Sequence, residues 1–340
     1  MKKKPFKVLL NILIILIVLG IVLYFSLKDN YQEILTAIFK INPIYFIIAI
    51  LILCLYRFIV SIAYYNIVKL NNETVSLKRC FQINFIILFF HGVTPFAGGG
   101  QPMEIYYLHQ EEIPITKATN ITLQNFIVYQ ISLVIVGIFA LIYNHYINIF
   151  PANHLIKKLV VLGFIINLLV LLASFILSFG KKIQKIILNK GIHFLSQIKL
   201  LKEETKIQKK VSEYLTSFHK NALQLKQNKL LVIKLIILNI LGLSIMYSMP
   251  YFLAKGMNLS LSLIDTIVAT AYVMIIGSFV PIPGGTGGIE YAFVFFYNYL
   301  IKGNIVNALM LVWRFISYYL GMIFGSIALS LYRKKEKKWK

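Results

Sequence analysis

Two apolar segments of the chain are interrupted near their middles by the same short Gly/Pro pattern. The first copy begins at Pro95 in TPFAGGGQPME, and the second begins at Pro281 in VPIPGGTGGIE. In each copy two adjacent glycines follow the proline, and a glutamate follows the glycines at the same spacing. Proline and glycine stop helices, and paired interruptions in corresponding halves of a membrane protein indicate a transport site between two repeats.

The composition of the chain is that of a polytopic membrane protein. Hydrophobic residues make up 59% of the sequence and the mean hydropathy is +0.76, whereas soluble domains are about half apolar. Two apolar regions, 81–108 and 263–301, contain the Gly/Pro loops. Six uninterrupted segments are long enough to cross a hydrocarbon core of about 30 Å, and these are 8–27, 43–65, 119–143, 159–179, 230–253 and 305–331.

The first apolar segment, 8–27, follows a basic N-terminus as a signal peptide would. It is longer than the apolar part of a typical signal peptide, and no small-residue cleavage site follows it. We therefore expect a retained first span and, for the whole chain, an all-α polytopic integral membrane protein.

The basic residues lie in three blocks and give a formal net charge of +23. One block precedes the first apolar segment, one holds twelve lysines within 181–229, and one holds six basic residues within 333–340. Lysine and arginine beside membrane segments set their orientation and contact anionic lipid. This distribution argues against a nucleic-acid partner. It predicts that all three blocks, and with them both termini, face the cytoplasm.

Cytoplasmic placement of the three blocks fixes the path of the two broken regions. Four uninterrupted spans lie between the N-terminus and the central block, so region 81–108 must enter and leave on one side. Two spans lie between the central block and the tail, so region 263–301 must do the same from the opposite side or cross twice. We therefore predict two re-entrant hairpins in an inverted repeat, because broken backbone at membrane depth must be buried in protein or line a wet cavity.

This topology predicts four parts of the chain. A first membrane half (1–180) and a second membrane half (230–332) flank a basic connector (181–229), and a basic tail (333–340) follows. Apolar residues recur among the lysines of the connector at loosely helical spacing. Amphipathic helices on the inner membrane surface and a solvated linker are both compatible with that pattern.

The loop residues are predicted to end one half-helix, turn the chain with positive φ and start the next half-helix at the cavity. A helix N-terminus offers free N–H groups that suit a phosphate. The alternative is a plain turn or close helix packing. The residues of the two loops are Pro95, Gly98, Gly99 and Gly100, and Pro281, Gly284, Gly285, Gly287 and Gly288.

Charged residues within apolar segments are the other candidates for a lipid-binding site, because each costs about 3 kcal/mol at the bilayer centre. Glu104 and Glu290 could cap the helices that follow the loops, contact a cationic headgroup or carry a proton. Arg57 and Arg314 could pair with these glutamates or with a lipid phosphate. Gln124 is a candidate for the cavity wall.

Other chemistry is not indicated by the sequence. Cys54 and Cys80 suggest neither a disulfide nor a metal site, and the sequence shows no P-loop, nucleophile elbow or dinucleotide fingerprint. Gly321 and Gly325 form a GxxxG pair that predicts close helix packing. We expect no catalytic residue, metal or cofactor.

The two loops, Arg57 and the late segment WRFISYYLGMIFG resemble the lysylphosphatidylglycerol synthase transmembrane-region family. That family includes the membrane half of the bacterial multiple peptide resistance factor. The resemblance covers nearly the whole chain and is most specific at the second loop. It implies movement of lysylphosphatidylglycerol to the outer leaflet, and through it a role in antibiotic resistance.

Three functions stay open at this point. The favoured one is a translocase for an anionic or aminoacylated phospholipid. The second is a phosphatidylglycerol lysyltransferase, or its membrane subunit, that works with a separate soluble synthase domain and lysyl-tRNA. The third is a membrane scaffold without transport. A homo-oligomer is compatible with each of them.

Overall fold

The computed structural model describes residues 41–94, 98–150, 154–179, 223–278, 280 and 282–332, with four isolated positions elsewhere. The predicted first span 8–27, most of the connector, the basic tail and the two loop prolines, Pro95 and Pro281, lie outside the described residues. Within the described ranges, the regular structure is helical throughout and includes no strand.

Apart from the stretch between Phe179 and Lys229, consecutive helices of the described ranges are joined by short segments. A 3₁₀ turn, Pro283–Gly285, precedes the helix that begins at Gly288, and a π-helix, Phe315–Leu320, joins the last two helices. The α-helices of the described ranges are α1 (Pro43–Leu70), α2 (Leu77–Val93), α3 (Gly100–Gln110), α4 (Ile115–Ile147), α5 (His154–Phe179), α6 (Lys229–Tyr247), α7 (Met249–Gly256), α8 (Leu263–Gly277), α9 (Gly288–Tyr297), α10 (Ile305–Arg314) and α11 (Gly321–Leu331).

Five helical segments of the described chain are long and apolar enough to cross a membrane. They confirm the spans predicted from residue 43 onward and the all-α polytopic fold. Their start signals are local, as in α1, where the Asn42 side chain accepts a hydrogen bond from the N–H of Ile44 and Pro43 opens the helix. The five segments are Pro43–Leu70, Ile115–Ile147, Lys158–Ile176, Lys229–Gly256 and Ile305–Leu331.

The first broken region folds back on itself as a hairpin of α2 and α3. At its open end, Arg79 Nε lies 2.8 Å from Glu111 Oε1, which joins the start of α2 to the end of α3. At its tip, the N–H of Gly99 donates to Thr94 Oγ1 at 2.8 Å. The two helices have 17 and 11 residues. At 1.5 Å per residue they are about 25 and 16 Å long, so neither reaches across the bilayer alone.

The second broken region makes a matching hairpin from α8 and α9. The hydroxyl of Tyr297, at the end of α9, lies 2.7 Å from Thr270 Oγ1 in the middle of α8. At the other end of the pair, Gly277 packs against Ile289 without room for a Cβ atom. The two helices are therefore antiparallel neighbours, and their tip holds the 3₁₀ turn.

The two hairpins approach the last span from opposite ends. Tyr332, directly after α11, donates to Glu111 at the open end of the first hairpin over 2.6 Å. The open end of the second hairpin continues through residues 298–304 into the start of α10. The tips therefore face each other at the middle of Ile305–Leu331, the most buried of the five spans. Their relation to the two sides of a membrane stays a prediction.

Close helix contact supports the first hairpin against this span. Gly325 faces the backbone carbonyl of Phe85 and leaves no space for a Cβ atom, and Gly321 packs on Leu88. Small residues at such spacing let helix backbones approach each other, so the predicted packing role of this GxxxG pair is confirmed.

Candidate functional site

Tyr318 is the residue at which the tips of the two hairpins meet. Its hydroxyl donates to the carbonyl of Gly92, near the end of α2, at 2.8 Å. Its ring lies against Gly284 of the second loop, where a Cβ atom would overlap it. Tyr318 belongs to the π-helix, a distortion that is common at functional sites. Tyr318 was not among the residues predicted from the sequence, because a tyrosine in an apolar span does not indicate which residues it will contact.

Glu290 and Arg314 form a buried ion pair at the tip of the second hairpin. Arg314 Nε lies 2.7 Å from Glu290 Oε1, and Arg314 Nη2 donates to the carbonyl of Gly284 at 3.0 Å. The other carboxylate oxygen of Glu290 accepts from the N–H of Gly287 at 2.6 Å. Glu290 therefore caps α9 and neutralises Arg314 at once. The guanidinium also lies 4.4 Å above the ring of Tyr318.

Three of the four glycines of the second loop have the positive φ that the sequence predicted, and Gly288 does not. Gly284, Gly285 and Gly287 have φ values of 65°, 64° and 85°, a region that L side chains rarely adopt. Gly288 begins α9 directly after them. The Glu290 carboxylate accepts from the N–H of Gly287 at the start of this helix, and its negative charge there disfavours a phosphate at the same helix end.

The first loop turns differently. Among its described residues, Gly98, Gly99 and Gly100, none has a positive φ, and φ of Gly99 is −75°. The prediction of positive φ is wrong for these glycines. Gly100 is required for space instead, because a Cβ atom there would overlap the imidazole of His91. Thr94 supplies the oxygen that accepts from the N–H of Gly99.

Glu104 is buried in a different setting from Glu290. It is the fifth residue of α3, whereas Glu290 is the third residue of α9. Because Glu104 lies two residues further along its helix than Glu290 does, its side chain is turned away from the start of α3. Its Oε1 accepts from Asn125 Nδ2 at 3.4 Å, and the hydroxyls of Tyr64 and Thr122 lie beside it without a well-aligned hydrogen bond.

Arg57 lies near the middle of α1 and does not pair with either glutamate. Its Nη1 donates to Asn84 Oδ1 on α2 at 3.0 Å. Its Nε is buried without a hydrogen-bond partner. The phenols of Tyr56 and Tyr129 are the ionisable groups that lie close enough to act on the charge of Arg57. Among the described residues, Arg57 therefore has no carboxylate partner, and Arg314 has one.

Gln124 has a structural contact. Its side-chain oxygen accepts from Asn71 Nδ2 at 2.7 Å, and Asn71 is the C-cap of α1. This contact ties α4 to the end of α1. That Gln124 lines the cavity wall and contacts lipid stays a prediction.

A second polar cluster closes the open end of the first hairpin. Glu111 accepts from both Arg79 and Tyr332, and the Arg79 guanidinium lies 4.5 Å above the Tyr332 ring. Burial raises the pKa of the Tyr332 phenol above its ordinary value, and the Glu111 carboxylate raises it further. This cluster fixes the hairpin to the end of α11.

The described spans, hairpins and buried charges define a polytopic membrane protein with a charged interior. No cluster of His, Cys, Asp and Glu suited to a metal occurs in the part of the chain that the structure describes. Residues 8–325 match the family described as lysylphosphatidylglycerol synthase TM region, and the chain belongs to this family. It is also 27% identical to a UPF0104 membrane protein of Methanocaldococcus jannaschii, over 98% of this chain and 96% of that protein.

Proposed function

We propose that this protein moves an anionic or aminoacylated phospholipid, such as lysylphosphatidylglycerol, between the leaflets of a membrane. The observation that carries the proposal is Arg57, a cation in the middle of a span with no carboxylate partner among the described residues. A charge at this depth costs about 3 kcal/mol unless a partner neutralises it, and such residues mark substrate pathways.

A phosphate is the partner that suits Arg57 best. The guanidinium offers five N–H donors in a planar fork, and among the described residues only its Nη1 has a hydrogen-bond partner. The phosphate of a phospholipid would accept two of the remaining donors. Asn84 would hold the guanidinium in place.

Arg314 is not available for the same role. Its Nε and Nη2 bind Glu290 and the carbonyl of Gly284, and the α9 N-terminus is capped by the same glutamate. The second hairpin is therefore a neutralised, fixed element. Of the two intramembrane arginines, Arg57 is the one that can receive a headgroup.

The surface around Arg57 suits lipid tails. Leu55 and Phe58, its near neighbours on α1, expose 47% and 44% of their surface. Exposed apolar side chains on a spanning helix face acyl chains, while Arg57 faces α2 and α4. A headgroup could therefore cross the protein beside Asn84 while its tails stay in the bilayer.

The remaining expectations on location and partners belong to the same proposal. The protein would lie in the bacterial cytoplasmic membrane with both termini in the cytoplasm. Its ligands would be anionic or aminoacylated phospholipids. A separate soluble synthase domain would supply an aminoacylated lipid.

Reconstituted liposomes test the proposal. Fluorescent phosphatidylglycerol is placed in the inner leaflet, and its arrival outside is followed with a membrane-impermeant quencher. We expect wild-type protein to accelerate arrival, Arg57→Gln to lose most of the effect, and Lys255→Gln to keep it. Lys255 is an exposed cation, so this control removes the same charge at the surface. Equal arrival with and without protein would refute the proposal.

The name of the family supports a second candidate, transfer of lysine from lysyl-tRNA to phosphatidylglycerol. Here the chain would be a lysyltransferase or its membrane subunit. Labelled lysine that enters lipid in the presence of this purified chain alone would establish the first form. Labelling only after a soluble synthase domain is added would establish the second.

A further inference from the structure

We propose that Glu104 is a proton-binding site, separate from the headgroup site at Arg57. The carboxylate takes one proton from the aqueous phase and becomes a neutral carboxylic acid, and it returns the same proton to water. The site itself stands on the surroundings of Glu104. Its coupling to lipid movement rests on the proposed function.

The burial of Glu104 lacks the compensation that Glu290 has. The residue is 5% exposed, and no lysine or arginine among the described residues forms an ion pair with it. An ionised carboxylate in an apolar interior is costly unless it is paired, and protonation removes that cost. The same residue type at the matching motif position in the second hairpin is neutralised by Arg314 instead.

The groups around Glu104 suit both of its protonation states. Asn125 Nδ2 donates to the ionised form. The hydroxyls of Tyr64 and Thr122, from α1 and α4, lie beside the carboxylate, and both oxygens are buried without a hydrogen-bond partner in the described structure. A hydroxyl can donate to a carboxylate or accept from a carboxylic acid by rotation of its hydrogen. Tyr64 is 1% exposed and Thr122 is 4% exposed, so bulk water does not reach these oxygens, and Glu104 is the polar group that lies beside them.

The other titratable groups near this pocket do not neutralise Glu104. Cys80 on α2 faces both Glu104 and Glu111. Arg79, on the same helix, is bound by Glu111, and Tyr332 after α11 donates to Glu111 as well. His91, near the end of α2, lies against Gly100 at the start of α3. No arginine or lysine of the described residues forms an ion pair with Glu104, so binding a proton would remove the charge of the buried carboxylate.

Protonation would affect the headgroup site through charge. Tyr64, which contacts Glu104, lies seven residues after Arg57 on the same helix, about 10 Å along the axis. A negative charge about 10 Å from a phosphate bound at Arg57 would weaken the binding of that phosphate roughly tenfold in a medium of effective dielectric constant about 20. Protonated Glu104 would therefore favour a loaded Arg57, and ionised Glu104 would favour release.

Infrared difference spectroscopy on the full chain in lipid nanodiscs tests the site without any transport. Spectra are recorded as the pH is changed, in H2O and D2O. We expect wild-type protein to show a carboxylic acid band that titrates and shifts in D2O. Glu104→Gln, an isosteric neutral variant, should lack this band and remain folded. Glu112→Gln removes an exposed carboxylate at the open end of the same hairpin and should retain the band.

The liposome assay separates this inference from the proposed function. We expect the apparent affinity of wild-type protein for the fluorescent lipid to rise roughly tenfold as the pH falls through the titration of the band, and that of Glu104→Gln to respond little to pH. A Glu104 band in a protein that moves no lipid would support the proton site and overturn the translocase. Lipid movement with no band lost in Glu104→Gln would overturn the proton site and leave the translocase standing.

Discussion

The two hairpins carry the same motif, but the glutamate of that motif has opposite surroundings in each. In the second hairpin Glu290 caps α9 and pairs with Arg314 at 2.7 Å. In the first, Glu104 faces Tyr64, Thr122 and Asn125 and meets no cation among the described residues. In one hairpin the glutamate is therefore neutralised by an arginine, and in the other it is buried without an ion-pair partner among the described residues.

The difference comes from the residue at which each second half-helix begins. α3 begins at Gly100, so four helical residues precede Glu104, while α9 begins at Gly288 and only two precede Glu290. Two residues rotate a side chain by about 200° around a helix with 3.6 residues per turn. Identical spacing in sequence therefore places the two carboxylates on different faces.

The largest effect is expected from Arg314→Gln. The substitution leaves Glu290 as an unpaired buried charge, which should lower the free energy of unfolding by about 3–5 kcal/mol. Chemical denaturation in detergent micelles measures it. The double variant Glu290→Leu with Arg314→Met should recover most of the loss, because it removes both charges. If Arg314→Gln unfolds at the wild-type denaturant concentration, the fixed ion pair is not what stabilises the second hairpin.

Alanine substitutions in the second loop should separate the cost of backbone strain from the cost of steric overlap with the Tyr318 ring. Gly284→Ala must adopt φ near 65° and also displaces the Tyr318 ring, so we expect a loss of about 2–4 kcal/mol. Gly287→Ala has only the backbone strain, because nothing lies within 4 Å of its Cβ position. Its loss should be about 1–2 kcal/mol. Equal losses in the same denaturation assay would argue against the contact between Tyr318 and the loop.

Tyr318→Phe should test the link between the hairpins with a smaller effect. The variant keeps the ring and loses the hydrogen bond to the carbonyl of Gly92, so we expect about 0.5–1.5 kcal/mol of destabilisation. Hydrogen–deuterium exchange should increase at the tips of both hairpins. Tyr319→Phe is the matched control, because the Tyr319 hydroxyl has no hydrogen-bond partner in the described structure. Faster exchange in the control alone would remove Tyr318 from this role.

The smallest change in stability is expected from Arg57→Gln. Because Arg57 has no carboxylate partner in the described chain and glutamine can still donate to Asn84, the free energy of unfolding should stay within about 1 kcal/mol. Translocation should fall roughly 10–100-fold, the value of a hydrogen bond to a charged group. A loss of stability as large as that of Arg314→Gln would make Arg57 a structural charge instead.

The sequence was sufficient to predict the parts of the molecule that depend on local pattern. The five described spans, both helix breaks and the contact at Gly325 follow from apolar length, Gly/Pro positions and small-residue spacing. The pairing of charges did not follow from the sequence. Arg57 contacts Asn84 and Gln124 contacts Asn71 because of how the helices are rotated against each other, and rotation depends on tertiary packing.

Tyr318 shows the same limit at the centre of the molecule. Its hydrogen bond to Gly92 joins residues that are 226 positions apart in the chain. The π-helix that holds it has no Gly/Pro signal, since it lies in the continuous apolar stretch Phe315–Leu320. The role of Tyr318 comes from its contacts with two hairpin tips that are far apart in the chain. It cannot be recognised from the sequence of either tip.

Cysteine accessibility tests most directly whether the hairpins open to opposite sides. In a Cys54→Ala, Cys80→Ala background, single cysteines at Glu112 and at Asn258 mark the open ends of the first and second hairpins. Both positions are exposed. In intact cells, a membrane-impermeant thiol reagent should label the Asn258 position from outside and reach the Glu112 position only after lysis. Labelling of both positions from the same side would contradict the inverted arrangement.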